Sequence, residues 1–292
     1  MADRGLSTAA GRCRPLRDGA LALAVWGPVL LVTGVFAWLL ADLLWQGGAR
    51  LSLQFILSAP RDAGRAGGIA PILVSTGLIV AVAMLAAVPL GFATAALLAE
   101  FTRPGGAVGR AIGLSLDVLA GVPSIVFGLF GNAFFCVWLG LGFSILSGGL
   151  TLACMALPIL VRTAEAGLRM VPDDWRHGAA ALGLSRRAAL LHILLPAATP
   201  ALAAGLMLGL GRALAETAAL IFTSGYVDRM PSSLFDSGRA LSVHIYDLTM
   251  NVAGGNPNAY ASALALIVLL LAINGFALWL AELLLERRML VQ

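Results

Sequence analysis

The sequence predicts an all-α, polytopic membrane protein with about six transmembrane helices. Three observations predict it. Hydrophobic residues make up 60% of the chain and charged residues only 12%. The mean hydropathy is +0.92. The apolar residues also gather into runs of about 20 or more, the length needed to cross about 30 Å of hydrocarbon. So little polar surface cannot coat a water-soluble globule of 292 residues.

Six runs meet the length requirement, over 20–44, 72–98, 112–139, 143–161, 197–222 and 259–285. The first follows Arg4, Arg12, Arg14 and Arg17 in the manner of a secretory signal. Its apolar part exceeds the usual length for one, so it reads as an uncleaved span. Only Gly140, Leu141 and Gly142 separate the third run from the fourth. The pair reads as a tight helical hairpin, with one span plus a re-entrant segment as the alternative. The chain thus divides into an N-terminal segment (1–19), a transmembrane domain (20–285) with a prominent loop at 162–196, and a tail (286–292).

All 19 basic residues are arginines. On the six-span reading 13 fall on one side of the membrane, 5 on the other, and Arg212 lies within a span. The positive-inside rule then places both termini in the cytoplasm, as in a multi-pass protein of the bacterial inner membrane. The net charge of +4 reflects this topology. A nucleic-acid footprint needs its basic residues on one soluble face, so the partners expected are membrane lipid and protein, not nucleic acid.

Several chemistries are excluded. With no lysine there is no phosphate-cradling G-x-x-x-x-G-K-[ST] loop, so the chain does not bind ATP in that mode. His177, His192 and His244 form no H-E-x-x-H pair. Cys13, Cys136 and Cys154 lack metal-ligand spacing, so neither a disulfide nor a metal site is expected. The glycine-rich stretch from Gly105 to Gly109 lacks the strand-then-helix setting of a dinucleotide fold, and close helix packing is its default use.

The loop at 162–196 carries its own signals. Pro172, Asp173 and Asp174 mark a helix start, with the acids at the positive end of the helix dipole. A short helix is predicted over 175–182. Gly183 suits a left-handed C-terminal cap and Ser185 caps a second helix, which Pro196 ends where the next span begins. Small residues at Gly178, Ala179, Ala180 and Ala181 let a partner groove approach the backbone. The alternative is an amphipathic helix lying on the bilayer.

Within the fifth span, Arg212 and Glu216 are four apart and share one helix face. A mid-span arginine costs several kcal/mol unless it faces a polar cavity or a partner. Two readings stand: a structural ion pair between helices, or an anion site in which Arg212 offers a planar fork of donors and Glu216 compensates it when empty. Asp117 is a further intramembrane carboxylate without an assigned role, while Asp42 and Glu282 read as interfacial charges.

Gly183, nine residues, Ile193, one residue, Leu195 and Pro196 resemble the EAA loop of bacterial ABC importer permeases, with His177, Gly178 and Ala179 on the E-A-A triplet. The glutamate of that triplet is replaced by His177. Gly121-Val122-Pro123-Ser124 running to Phe130, Leu157-Pro158 leading to Arg162-Thr163, and Gly211-Arg212-Ala213-Leu214-Ala215-Glu216-Thr217 resemble the phosphate-specific permeases, and Ser224-Gly225-Tyr226 their PstA-type subunit. The resemblance spans about residues 68–280. It implies a type I ABC importer permease fold and no enzymatic activity in this chain, with ATP and Mg bound on a partner ATPase. It also implies a PstC-type companion permease, a PstB-type ATPase homodimer and a PstS-type phosphate-binding protein that docks on the loops at 46–70 and 223–258. Arg212, Glu216 and Arg162 fall on the phosphate path of this resemblance, and His177, Gly178, Ala179, Gly183, Ile193, Leu195 and Pro196 on the segment that couples to the ATPase. Arg162 also reads as an ordinary positive-inside residue at the end of its span.

Two other classes use some of the same features. An ion-coupled anion carrier also places Arg and Glu in the membrane, but such folds usually show internal repeats, and none is convincing here. A membrane enzyme acting on lipid phosphates needs a nucleophile and acid-base cluster, whereas these histidines are scattered. An ATPase, second permease and binding protein copurifying with the chain discriminate the importer from both.

Overall fold

Apolar runs that must satisfy every backbone group inside the bilayer fold as helices, and helices dominate this chain. The computed structural model describes the backbone of residues 14–103 and 105–289 and the side chains of residues 21–103 and 105–279. Cys13 and the side chains of Glu282 and of the predicted tail lie outside what the structure describes.

Helix α1 (Arg14–Gly48) leads to a short α2 (Leu53–Leu57) and a two-stranded antiparallel ribbon, β1 (Pro60–Arg61) against β2 (Ala66–Gly67), with Pro60 opposite Gly67. Helix α3 (Ala70–Ala96) follows and widens into a π-helical turn at Leu97–Phe101. Next come α4 (Ala107–Gly121) and α5 (Ser124–Gly131), the latter continued by a π-helical stretch at Asn132–Trp138. Helix α6 (Ile145–Met170) precedes the elbow helices α7 (Asp173–Ala181) and α8 (Arg186–Ala189). Then α9 (Leu195–Ala215), α10 (Ala218–Ile221), α11 (Leu241–Met250) and α12 (Asn256–Met289) complete the chain. The predicted tail is therefore helical up to Met289 in backbone.

Among the described residues, five helices are long and apolar enough to cross a membrane: Leu21–Gly48, Ala70–Phe101, Ile145–Met170, Arg186–Ala215 and Asn256–Trp279. The predicted third span differs from expectation. It is a pair of helices, Ala107–Gly121 and Ser124–Trp138, bent by 103°. The cause is local, since Pro123 disfavours helical geometry at Val122, which is extended at φ −71° and ψ 128°. The pair still carries the chain across. Gly149 of α6 packs on Val82 of α3, and Gly91 of α3 packs on Leu160 of α6, so the two helices run in the same direction. The segment between them must return, and the turn at Gly140 and Gly142, both with positive φ, then starts α6. A hairpin joins the third and fourth crossings, with a bent first arm.

The fifth span also departs from its predicted bounds of 197–222. Pro196 does not end the elbow; the helix runs unbroken from Arg186 to Ala215. A proline inside a helix removes an N–H and crowds the preceding turn. The preceding turn, Leu190–Leu194, is π-helical, and the Leu195 N–H closes it on the Leu190 carbonyl. That wider turn accommodates the ring.

Helices α3, α6 and α9 form the packed centre, with α1 lying against α12 at one side. In lipid, association relies on close van der Waals packing of small residues. Gly205 of α9 shows it: a methyl group there would lie 3.2 Å from Thr163 Cβ of α6. One apolar cluster, including Leu98, Val161, Leu168, Leu190 and Leu194, roots the elbow at the arginine-rich end of the bundle. Another, including Ile79, Ile145, Leu152, Leu220 and Val243, fills the middle and the opposite end.

Candidate functional site

The bend between α4 and α5 opens a cavity of about 430 Å³ against α6 and α9. Its wall is largely apolar, with Leu116, Phe127, Met155 and Ile159, and three ionisable side chains enter it: Arg162, Arg212 and Asp117. Two of these are predicted site residues from different helices, brought together by the fold.

Arg162 lies eight residues before α6 ends at Met170, about 12 Å inside the helix end. Its Nη2 donates to Asp117 Oδ1 at 2.6 Å and to the Gly113 carbonyl at 3.0 Å, and its Nη1 donates to Glu165 Oε2 at 3.3 Å. Asp117, left without a role by the sequence, is thus the carboxylate that holds this arginine. The two residues are 45 apart in the chain, and only the bent helix pair sets them face to face.

Arg212 is held loosely. Its Nη2 stands 3.7 Å from Glu216 Oε2, beyond hydrogen-bond length, and among the described residues its side chain makes no hydrogen bond. It is half exposed, at 51%, whereas Glu216 is 7% exposed. The expectation that both share a helix face needs correction, because α9 ends at Ala215 and Glu216 is extended at φ −77° and ψ 130°. The reason is tertiary. Ser242 Oγ donates to the Glu216 carbonyl at 2.6 Å, and Glu216 Oε1 accepts the Ala219 N–H at 3.3 Å. Glu216 thereby stabilises the start of α10 and presents its other oxygen to Arg212. Helix α10 can lie here because α5 offers a glycine, Gly128, where a Cβ would sit 2.9 Å from Ala219 Cα.

At the arginine-rich end, the elbow matches its sequence signals. Helix α7 ends in a Schellman cap: the Gly183 N–H donates to the Ala180 carbonyl and the Leu184 N–H to the Ala179 carbonyl, both at 3.0 Å, with Gly183 at φ +72°. The Ser185 side chain accepts the Ala188 N–H. His177 and Gly178 are exposed. Ala179 differs from its expected role, since it is 3% exposed and turned into the chain, where the cap draws it inward. Ile193 and Leu195 pack with the root cluster, and Pro196 continues into α9. They anchor the elbow and leave its tip, with Leu182 at 79% exposure, as the free surface.

Arg176 was not singled out by the sequence, yet it organises this region. Its Nη2 donates to Glu100 Oε1 at 2.7 Å and to the Leu168 carbonyl at 2.8 Å, and its Nη1 donates to the Val171 carbonyl. The hydrogen bond that Arg176 donates to Glu100 holds its guanidinium above its ordinary pKa. This clamp ties α7 to the end of α3.

Among the described residues no group of three or more His, Cys, Asp or Glu is placed to hold a metal ion. The arrangement offers two guanidinium groups and one carboxylate in a largely apolar cavity, with the elbow joined through one continuous helix to Arg212.

Residues 87–290 match the family described as the binding-protein-dependent transport system inner membrane component. The chain is 31% identical to a probable ABC transporter permease protein, YqgI, of Bacillus subtilis, over 88% of this chain and 92% of that protein. It is 38% identical to the phosphate transport system permease protein PstA of Mycobacterium leprae, over 72% of this chain and 69% of the relative. Among solved structures, a bacterial ABC transporter involved in the import of the acidic polysaccharide alginate shares the fold at a TM-score of 0.61 and 17% identity, covering 92% of this chain and 98% of that one.

Proposed function

The chain belongs to the family of binding-protein-dependent transport inner membrane components, and from that premise we propose that it is the PstA-type permease subunit of a phosphate importer. Family members are multi-pass inner-membrane proteins that work with a separate ATPase subunit and a binding protein. The finer assignments are a PstC-type companion, a PstB-type ATPase pair that binds ATP and Mg, and a PstS-type phosphate-binding protein. The arginine distribution supports an orientation with both termini in the cytoplasm.

One observation carries the substrate reading: Arg162 and Arg212 enter one cavity in a chain whose relatives include phosphate permeases. Planar guanidinium forks match the oxygens of a tetrahedral oxyanion. Arg212 is the open fork. Arg162 is occupied by Asp117, whose carboxylate stands where an anion's oxygens would bind. An entering phosphate therefore meets Arg212 first and gains Arg162 by exchanging with Asp117.

Coupling follows from the continuous helix. Arg186 and Arg212 lie 26 residues apart on one unbroken helix, a lever about 39 Å long. When the ATPases close, they move the elbow tip, and the lever moves Arg212 relative to Arg162. Only a difference in anion affinity between the two permease states makes this movement productive.

Uptake of phosphate by the complete complex in proteoliposomes, normalised to assembled complex, tests the reading. Arg212→Gln is expected to lower uptake by at least about 100-fold, the loss expected for several hydrogen bonds to a charged group. Arg212→Lys is expected to recover little, because one ammonium does not reproduce the fork. Near-normal uptake by Arg212→Gln overturns the anion site, and loss of assembly assigns Arg212 to a structural ion pair.

A further inference from the structure

Below the transmembrane cavity, at the arginine-rich end, lies a second cavity of about 270 Å³. Four arginines line it: Arg103 after α3, Arg110 on α4, and Arg162 and Arg169 on α6, with Glu165 as the one carboxylate. Glu165 is fully engaged, since Arg162 Nη1 lies at 3.3 Å and Arg169 Nη2 at 2.9 Å from its oxygens. Arg110 satisfies one donor on the Gly105 carbonyl at 2.8 Å. Among the described residues neither Arg103 nor Arg110 has a carboxylate within 4.0 Å. Arginines that only obey the positive-inside rule have no need of a common cavity. These come from three separate segments and share one, with three positive charges in excess.

Arg162 belongs to both cavities. Its Nη2 is bound to Asp117, which lines the transmembrane cavity, and its Nη1 to Glu165, which lines the lower one. The guanidinium forms the partition, with one terminal nitrogen turned to each side. An anion held by Arg162 is one side-chain movement from either chamber.

We propose that the lower cavity is a second oxyanion site, a release vestibule in which Arg103, Arg110 and Arg169 receive the phosphate group from Arg162 before it enters the cytoplasm. The proposal rests on the reading of this chain as a phosphate permease. The chemistry recognised is a phosphate-type oxyanion, and two sources carry it: the free ion and an anionic lipid headgroup.

Gly109 lines the vestibule, and a Cβ there meets only Thr102, at an ordinary 3.4 Å. The test places Gly109→Cys in a chain whose Cys13, Cys136 and Cys154 are alanine, within the complete complex in nanodiscs. Maleimide labelling of Gly109→Cys is then timed against rising inorganic phosphate at constant ionic strength. In phosphatidylcholine alone, phosphate is expected to slow labelling. Adding Arg103→Gln and Arg110→Gln is expected to raise the phosphate needed by about tenfold or more, and maximal uptake is expected to fall with it. Where the double variant does not assemble, Arg103→Gln alone gives the comparison. Labelling that slows only when phosphatidylglycerol is present assigns the cavity to a lipid headgroup and overturns the release role. Labelling indifferent to both overturns the site. Arg212→Gln keeps this result separate from the reading it rests on, because it is expected to abolish uptake while phosphate still protects Gly109→Cys. A wild-type complex that takes up no phosphate, yet shows protection, overturns the permease reading and leaves the vestibule standing.

Discussion

Asp117 holds one arm of the Arg162 fork: its Oδ1 takes Arg162 Nη2 at 2.6 Å. In the proposed anion site it therefore competes with the anion. Asp117→Asn removes the competing charge but keeps a side chain of the same shape. The anion is then expected to bind Arg162 more tightly and leave more slowly, giving a lower KM and a lower maximal rate of uptake; both parameters unchanged would exclude Asp117 from the cycle. His244 shows residue-scale electrostatics at the opposite end. It is buried, and burial, reinforced by the charge of Arg239, pushes its pKa down to about 4 against the opposing pull of Asp228 and Asp247. The unfolded imidazole titrates near 6.5. The packed histidine therefore costs nothing above pH 6.5. As pH falls from there towards 4 the unfolded chain takes up a proton that the native chain refuses, and stability on the order of 3 kcal/mol is lost. Thermal unfolding of the complex at pH 7.5 and pH 5 is expected to show about 2 kcal/mol of this loss, and His244→Gln to flatten it. An unchanged pH profile in His244→Gln removes the histidine as its cause. Arg212 was legible in the sequence because a charge in an apolar run violates the local pattern. Asp117 was not, because its partner is 45 residues away and its meaning depends on the bend between α4 and α5.

At the scale of elements, the elbow was the most legible feature, since its chemistry is local. Pro172 and two aspartates start α7, Gly183 supplies the positive φ of the cap, and Ser185 starts α8. The end of α9 was illegible for the converse reason. Nothing in Ala215-Glu216-Thr217 breaks a helix, and the break is imposed by Ser242, 26 residues on. The same holds for the clamp that orients the elbow, in which Arg176 reaches Glu100 across 76 residues. Of the small residues expected to meet a partner, Ala179 is buried while Ala180 is exposed, as is Leu182 beside it. Cysteines at Ala180 or Leu182 are expected to crosslink to a cysteine-bearing ATPase, and one at Ala179 is not; crosslinking through Ala179 alone would reverse this orientation. Glu100→Gln is expected to leave the ATPase bound but to lower phosphate uptake per ATP hydrolysed, because the elbow then moves without carrying α3. Gly183→Ala forces a left-handed backbone on a residue with a Cβ, at about 1–2 kcal/mol, and is expected to act in the same direction. Coupling ratios equal to wild type in both variants would exclude the clamp and the cap from transmission.

At the scale of the whole molecule, two exposed faces run the length of the bundle and differ in kind. Along α1 the surface is made of side chains such as Leu23, Leu30, Leu31 and Phe36, and none of its apolar window is buried. Such a face suits hydrocarbon. The face formed by α4 and α5 is apolar at Leu114, Val118, Ile125 and Leu129, but between these the cavity opens with Asp117, Arg162 and Arg212, their side chains from 42% to 66% exposed. Charges at that depth are costly against lipid and are found facing protein or water. In the proposed importer the α4–α5 face is therefore the one assigned to the companion permease, which would close the cavity into half of a shared pathway, with α1 at the lipid. A spin label on Val118→Cys in the complete complex is expected to be shielded from oxygen dissolved in the bilayer, and the free cysteine to crosslink to the companion permease. A label on Leu31→Cys is expected to be fully relaxed by oxygen and to give no crosslink. The opposite pattern, with Leu31→Cys joined to the companion and Val118→Cys open to oxygen, would put the pathway on the other side of the bundle and overturn this assignment.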